Sequence, residues 1–281
     1  MYYSIGEAAS ESQPFLGIYA FEPVRAHYKS AMATDVFLVD ESSLKAYSPV
    51  WDADTTFASS QDDLNSKPGE LRVGWAMFPE LPAGTTTVQV LMTAGNGVRD
   101  IPGEDGPLLP VGADPAPLLG QGWPKVPQGA ELSRVDPAAV TWSLTRRSGD
   151  VSGATKVEES PTEVAVTLDS SVLFATGSAD LSAEAQAVLE QVALDIAARG
   201  TGGVVVTGHT DFDGSDASNQ VLSEARAASV LAVLQPASGS KVTFTSVGKG
   251  ESEPVAENST DEGKQANRRV TVVYQVTGRA K

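Results

Sequence analysis

Val204-Val205-Val206-Thr207-Gly208-His209-Thr210-Asp211 reads as a strand running into a turn, and Asn219 to Leu234 reads as a helix that Pro236 stops. The apolar stripe of that helix passes through Leu222, Ala225, Val230 and Val233, yet Arg226 stands four residues after Leu222 and four before Val230, within the stripe. A guanidinium so placed needs an anion, because an unpaired buried charge costs several kcal/mol. Asp211, at the end of the preceding strand, is the candidate partner, and the two are expected to neutralise each other when no ligand is present. Asn219 lies two helical turns before Arg226 on the same face and adds an amide that both donates and accepts.

Working outward, Val164, Val166 and Leu168 alternate as a strand. Leu181 to Arg199 carries Leu181, Ala185, Val188, Leu189, Val192 and Ile196 at helical spacing before Gly200 ends it. Val242 to Val247 and Val270 to Val276 supply two more strands. The order strand, helix, strand, helix, strand, strand predicts a two-layer α/β domain over 156–281, a mixed sheet with both helices on one face. Upstream the texture changes. Short β-type runs at Gly17–Ala20, Asp35–Val39, Leu71–Phe78, Thr86–Met92 and Val140–Thr145 are separated by Gly, Pro and Asp, so 1–155 is expected to form an all-β, sandwich-like domain and the chain to be α+β overall. Seven prolines between Pro102 and Pro127 suit a long sandwich connection or a binding loop.

Bulk properties exclude several classes of function. The 281 residues and 41% hydrophobic content allow two packed cores. Twenty basic against 36 acidic residues leave a net charge of −16, which repels nucleic-acid phosphates and anionic lipid. No apolar run approaches the roughly 20 residues that span a bilayer, and Met1-Tyr2-Tyr3-Ser4 does not open a signal peptide. Cysteine is absent, so disulfides, thiolate metal sites and cysteine nucleophiles are absent too.

Gly208-His209-Thr210-Asp211, Gly214, Asn219, Leu222-Ser223, Arg226-Ala227 and Val230 resemble the central signature of OmpA-like peptidoglycan-binding domains. Leu173-Phe174 with Leu181 upstream, and Gly248-Lys249-Gly250, Pro254, Asn258 and Asn267-Arg268-Arg269-Val270 downstream, extend the resemblance over about 161–277. It implies non-catalytic binding of the cell-wall stem peptide, with Asp211 and Arg226 clasping the zwitterionic end of diaminopimelate. One anion and one planar, bidentate cation are what an ammonium and a carboxylate on a single carbon require. The contacts implied beside these two are Thr210, Asn219, Leu222, Asn267 and Arg268. Arg268 and Arg269 are adjacent in an extended segment, so only one of them is expected to face the pocket. The loop Phe212–Ser218 departs from the family in carrying Asp213 and Asp216. The resemblance also implies an exported protein of the cell envelope whose signal or lipidated leader lies outside this sequence, with peptidoglycan as partner and no cofactor.

Other readings stand beside these. Asp211 with Arg226 can also be read as a structural ion pair, His209 as a hydrogen-bonded structural residue, and Asn267 as a turn cap. An enzyme built on His209, Asp211, Asp213 and Asp216 lacks a nucleophile, and the second histidine, His27, lies in the other domain. Gly214 comes too early for an EF-hand loop. The remaining alternative is an envelope adhesion or assembly protein whose main activity, and whose protein partner, belong to the amino-terminal domain, with the second domain as a tether.

Overall fold

The computed structural model describes residues 2–6, 36–51, 56–59, 71–92, 97–103, 135–150, 153–239 and 241–277. They divide into two compact units, Met1–Ser143 and Leu144–Lys281. In the first, β1 (Tyr2–Gly6) pairs antiparallel with β4 (Leu71–Trp75). A five-stranded antiparallel sheet has the order β6-β5-β2-β3-β7, with β2 at Val36–Asp40, β3 at Lys45–Tyr47, β5 at Thr87–Met92, β6 at Gly97–Pro102 and β7 at Thr141–Ser143. Val36, Leu38, Val88 and Val90 alternate along β2 and β5 to bury one face with Tyr47. Asp40 ends β2 as a buried carboxylate that accepts from the Ser42, Ser43 and Thr85 hydroxyls, which fixes the turn into β3. The strand expected from Val140 starts one residue later, because Asp136 caps a 3-10 turn over Pro137–Val140 that holds Val140 out of the sheet. The strand expected at Gly17–Ala20 and most of the Pro102–Pro127 connection lie outside the described residues.

The second unit is a mixed six-stranded sheet of order β12-β11-β13-β10-β9-β8, in which only β11 and β12 run parallel. Its chain order is β8 (Arg146–Gly149), β9 (Thr155–Glu159), β10 (Glu163–Asp169), α1 (Ser170–Leu173), α2 (Ala183–Arg199), β11 (Gly200–Gly208), α3 (Asp216–Ala237), β12 (Val242–Gly248), α4 (Asp261–Asn267) and β13 (Arg269–Val276). Every second residue of β10, β11 and β13, from Val164 through Val206 to Tyr274, packs against Leu189, Ile196, Val230 and Leu234 in one core, so both long helices cover a single face. The expected βαβαββ order holds. β8 and β9 add to it, because Glu159, 1% exposed, is bonded by both Arg146 and Arg199 and so ties the added strands to the end of α2.

Local signals place the helix ends. Ser182 accepts from the Ala185 N–H to start α2, and Ser215 with Ser218 makes a reciprocal capping box at the start of α3. Pro236 does not stop α3 as expected. It sits in the last turn, where its missing N–H removes one terminal bond, while the Ser238 N–H still reaches the Leu234 carbonyl. The strand ends under α3 are glycines for lack of room. A Cβ on Gly208 would overlap the Ser223 carbonyl oxygen, and one on Gly248 would lie 2.5 Å from the Glu224 backbone nitrogen. Gly208→Ala is therefore expected to push α3 outward and cost about 1–3 kcal/mol. Gly203→Ala, which meets open space, should change stability by less than about 0.5 kcal/mol. Urea midpoints of the two variants check the contrast, and equal midpoints would refute the packing argument.

Candidate functional site

Three backbone bonds carry the segment after β11 into position. His209 N–H donates to the Arg269 carbonyl and Thr210 N–H to the Gly250 carbonyl, both at 2.9 Å, and Lys249 N–H donates to the Gly208 carbonyl at 3.0 Å. The end of β11 is thus held between the start of β13 and the end of β12. Beyond it a cleft of about 590 Å³ opens, lined by Asp211, Arg226, Arg268, Asn219, Thr210 and Leu222 together with the 170–177 segment and Asp213. Six of the seven residues expected to contact a ligand therefore share one cavity.

Asn267 is not among them. It is fully buried, and its amide accepts from the Val255 and Ala256 N–H groups and donates to the Ala256 carbonyl and the Asn258 side chain. Its capacity is spent on shaping the 255–258 loop. Arg269 likewise points away and donates to the Glu253 carbonyl at 3.0 Å, which leaves Arg268 as the arginine on the cleft.

The expected Asp211–Arg226 ion pair is replaced by another arrangement. Asp211 Oδ2 accepts from Arg268 Nη1 at 2.5 Å. Register explains this: Gly208 lies opposite Val270 in the antiparallel β11–β13 pair, so two residues further out Thr210 and Arg268 meet at the rim. Arg226, 4% exposed, instead donates Nε–H to the Ser178 carbonyl at 3.0 Å and lies over the Phe174 ring, 5.2 Å from its centre. Among the described residues its two Nη groups meet no carboxylate. Burial lowers its proton affinity, Asp211 opposes that from a distance, and the Arg268 charge adds to it.

Two hydroxyls in the cleft are also unspent. Thr210 Oγ1 and Ser170 Oγ are buried with no hydrogen-bond partner among the described residues. Asn219 donates to the Asp211 carbonyl at 3.2 Å and to Glu251 at 2.6 Å, so it braces the turn that aims Asp211. Asp213 is held by Lys264 at 3.0 Å through both oxygens. Reading the sequence missed Phe174 as a platform, the Ser178 carbonyl and Ser170. Phe174 was visible as a motif residue, but its role needs the position of α3. No three potential metal ligands gather among the described residues.

A buried cation on the cavity wall, a carboxylate lining the same cavity and two buried hydroxyls without a partner among the described residues come together at the end of a two-layer α/β domain. Residues 173–268 match the model of the OmpA family, so the carboxyl-terminal unit contains an OmpA-family domain. The chain is 37% identical over 106 residues, 38% of its length, to the outer-membrane lipoprotein YfiB of Pseudomonas aeruginosa, and 51% identical over 67 residues, 24% of its length, to outer membrane porin F of Pseudomonas fluorescens. It spans 63% and 21% of those two proteins. Among solved structures it is similar to the cell wall anchor of the T6SS from Pseudomonas aeruginosa, at 33% identity and a TM-score of 0.41 over 44% of this chain and 90% of that one.

His209 stands behind the cleft, 3% exposed, with its Nδ1 unpartnered among the described residues. Burial, aided by the Arg269 and Lys249 charges and opposed by Glu253, pushes its pKa down from 6.5 to about 4. A folded-state pKa below the unfolded one means that the unfolded chain takes up the proton first as pH falls. Stability is then lost between about pH 6.5 and 4, by at most about 3 kcal/mol. His209→Asn is expected to flatten the fall of the urea midpoint across that window. An unchanged slope in the variant would assign the acid sensitivity to other groups.

Proposed function

We propose that the carboxyl-terminal unit binds peptidoglycan without cleaving it, and so holds the protein at the bacterial cell wall on the envelope side of the membrane. The ligand is the free end of a diaminopimelate-type stem residue. Its carboxylate takes the open Nη edge of Arg226, its ammonium goes to Asp211, and Thr210 and Ser170 supply the remaining hydrogen bonds. Leu222 and Phe174 line the side against which the methylene chain lies. The observation that carries this reading is Arg226, a residue 4% exposed that lines a cavity and has no carboxylate partner among the described residues. Such a charge is costly unless an anion is delivered to it, so a carboxylate ligand gains more here than at an exposed arginine. The family match and the cell-wall anchor among the similar solved structures support the same conclusion. The amino-terminal unit fits an all-β, sandwich-like domain borne by that anchor, since β2 and β5 alternate buried with less buried residues.

Arg226→Lys keeps the charge and removes the planar fork, so it separates recognition from charge balance. The variant is expected to melt within a few degrees of the parent and to lose binding to isolated sacculi, by about 2–5 kcal/mol where affinity is measured on a stem fragment. Asp211→Asn should lose binding to a similar degree. Co-sedimentation with sacculi, beside thermal melting, checks both. A variant that melts and sediments like the parent would place the wall contact elsewhere, and release of soluble muropeptides by the pure protein would overturn the non-catalytic reading.

A further inference from the structure

The cleft lining carries two aspartates and two arginines, but their pairing is uneven. Asp213 is taken up by Lys264 through both oxygens. Asp211 is taken up by Arg268. Glu251 is engaged by Asn219 and does not line the cleft. The lining therefore offers two guanidiniums, Arg226 and Arg268, to one available carboxylate. Each has a defined state: Arg226 is fixed by Ser178 and Phe174, whereas the Arg268 side chain is 35% exposed and has Asp211 as its one carboxylate among the described residues.

We infer that Arg268 is an exchangeable counter-ion that occupies the ammonium position on Asp211 and, once displaced, receives a second carboxylate of the ligand. The inference rests on the peptidoglycan reading and adds the substrate class: an ammonium and a carboxylate on one carbon, accompanied by a second free carboxylate. A ligand ammonium arriving at Asp211 breaks the 2.5 Å contact and releases an arginine beside Arg226, a like charge. A zwitterion alone would leave that arginine unpaired at the rim. A ligand with one more carboxylate than the clasp itself uses would restore pairing for all three groups. A stem that ends at diaminopimelate meets this requirement, because both of its carboxylates are then free. Amidation of either one replaces an anion by a neutral amide of almost the same shape and leaves the corresponding arginine without its near carboxylate, since the α-carboxylate of the γ-linked glutamate stands a residue further along the stem.

The test is calorimetric titration of the full chain with L-Ala-γ-D-Glu-diaminopimelate in three forms: both terminal carboxylates free, the D-centre carboxylate amidated, and the L-centre carboxylate amidated. Loss of a charge-assisted contact corresponds to roughly tenfold or more in affinity. D-centre amidation should weaken binding by at least about that factor in the wild type and in Arg268→Gln alike, since it removes the Arg226 contact. L-centre amidation should cost about tenfold in the wild type and less than about twofold in Arg268→Gln. Wild-type protein that binds the L-centre amide as well as the parent peptide would overturn the role of Arg268, and this comparison stands even where Arg268→Gln proves unstable. Absence of any binding to the unamidated tripeptide would instead overturn the peptidoglycan reading itself.

Discussion

The carboxyl-terminal unit is organised around the burial of a guanidinium on the inner side of α3. Arg226 is in the helix face that packs toward the sheet, between Leu222 and Val230, and nothing on that face neutralises it. The fold accommodates it with a carbonyl, an aromatic ring and a cavity in place of a carboxylate. A carbonyl dipole and a ring quadrupole offset part of the desolvation cost, but neither is a full counter-charge. The cavity is the third element of the solution, because it keeps the Nη edge accessible to water or to an anion. Replacing the α1 to α2 connection would therefore change the surroundings of the guanidinium as directly as replacing a lining residue.

The close approach of α3 to the sheet makes that burial possible. Gly208 and Gly248 end two neighbouring parallel strands, and the backbone of α3 at Ser223 and Glu224 rests on both. The same glycines lead into the loops that carry Asp211 and Glu251. One packing contact thus sets the depth of Arg226 and the position of the groups across from it. Asn219 then joins the two loops by donating to both the Asp211 carbonyl and Glu251. The turn that carries Asp211 is thus braced from α3, whereas Arg268, its side chain 35% exposed, enters from the start of β13. The acidity of the whole chain, −16, does not carry into this cleft. A buried guanidinium there can attract a carboxylate against the overall field, since screening confines such interactions to about 8–10 Å at physiological ionic strength.

Much of this was legible in the sequence, and the exceptions have physical reasons. The two long helices and strands β10 to β13 follow from periodicity, because each buries one face and the apolar spacing records it. The anomaly of Arg226 was visible for the same reason, since a charge inside an apolar stripe is a break in a strong pattern. Its partner was not. Which of two arginines reaches Asp211 depends on the β11–β13 register, and register is a property of pairing between segments some sixty residues apart. Asn267 was misplaced as a ligand contact because an amide reads the same whether it faces a loop or a ligand. β8 and β9 escaped because Arg146, Arg147, Lys156, Glu158 and Glu159 make them look like a solvated linker. They are held by their ladder to β10, by Val157 against the core and by the tie from Glu159 to Arg199 on α2, none of which a local pattern encodes.

The segment that matches the OmpA family, 173–268, carries most of the cleft but only β11 and β12 of the sheet that supports it. β10 ends at Asp169 and β13 begins at Arg269, so two strands at the middle of the sheet flank the matched residues on either side. They contribute Val164, Val166, Leu168, Val270, Val272 and Tyr274 to the core, all nearly or fully buried. Without them α2 and α3 would have only β11 and β12 to cover, and the start of β13 would no longer deliver Arg268 to the rim. Beyond β10, Glu159 bridges Arg146 and Arg199, while Asp195 accepts from both Arg199 and the Tyr274 hydroxyl. This chain of charges links β8, β9, α2 and β13 at the edge of the core. A buried pair of this kind is worth little when complete but costs several kcal/mol when one partner is lost. Truncation at the edge of the matched segment would leave Arg199 with Asp195 alone and remove the floor of the core, so the compact unit that holds the cleft together is Leu144–Lys281 rather than the matched segment.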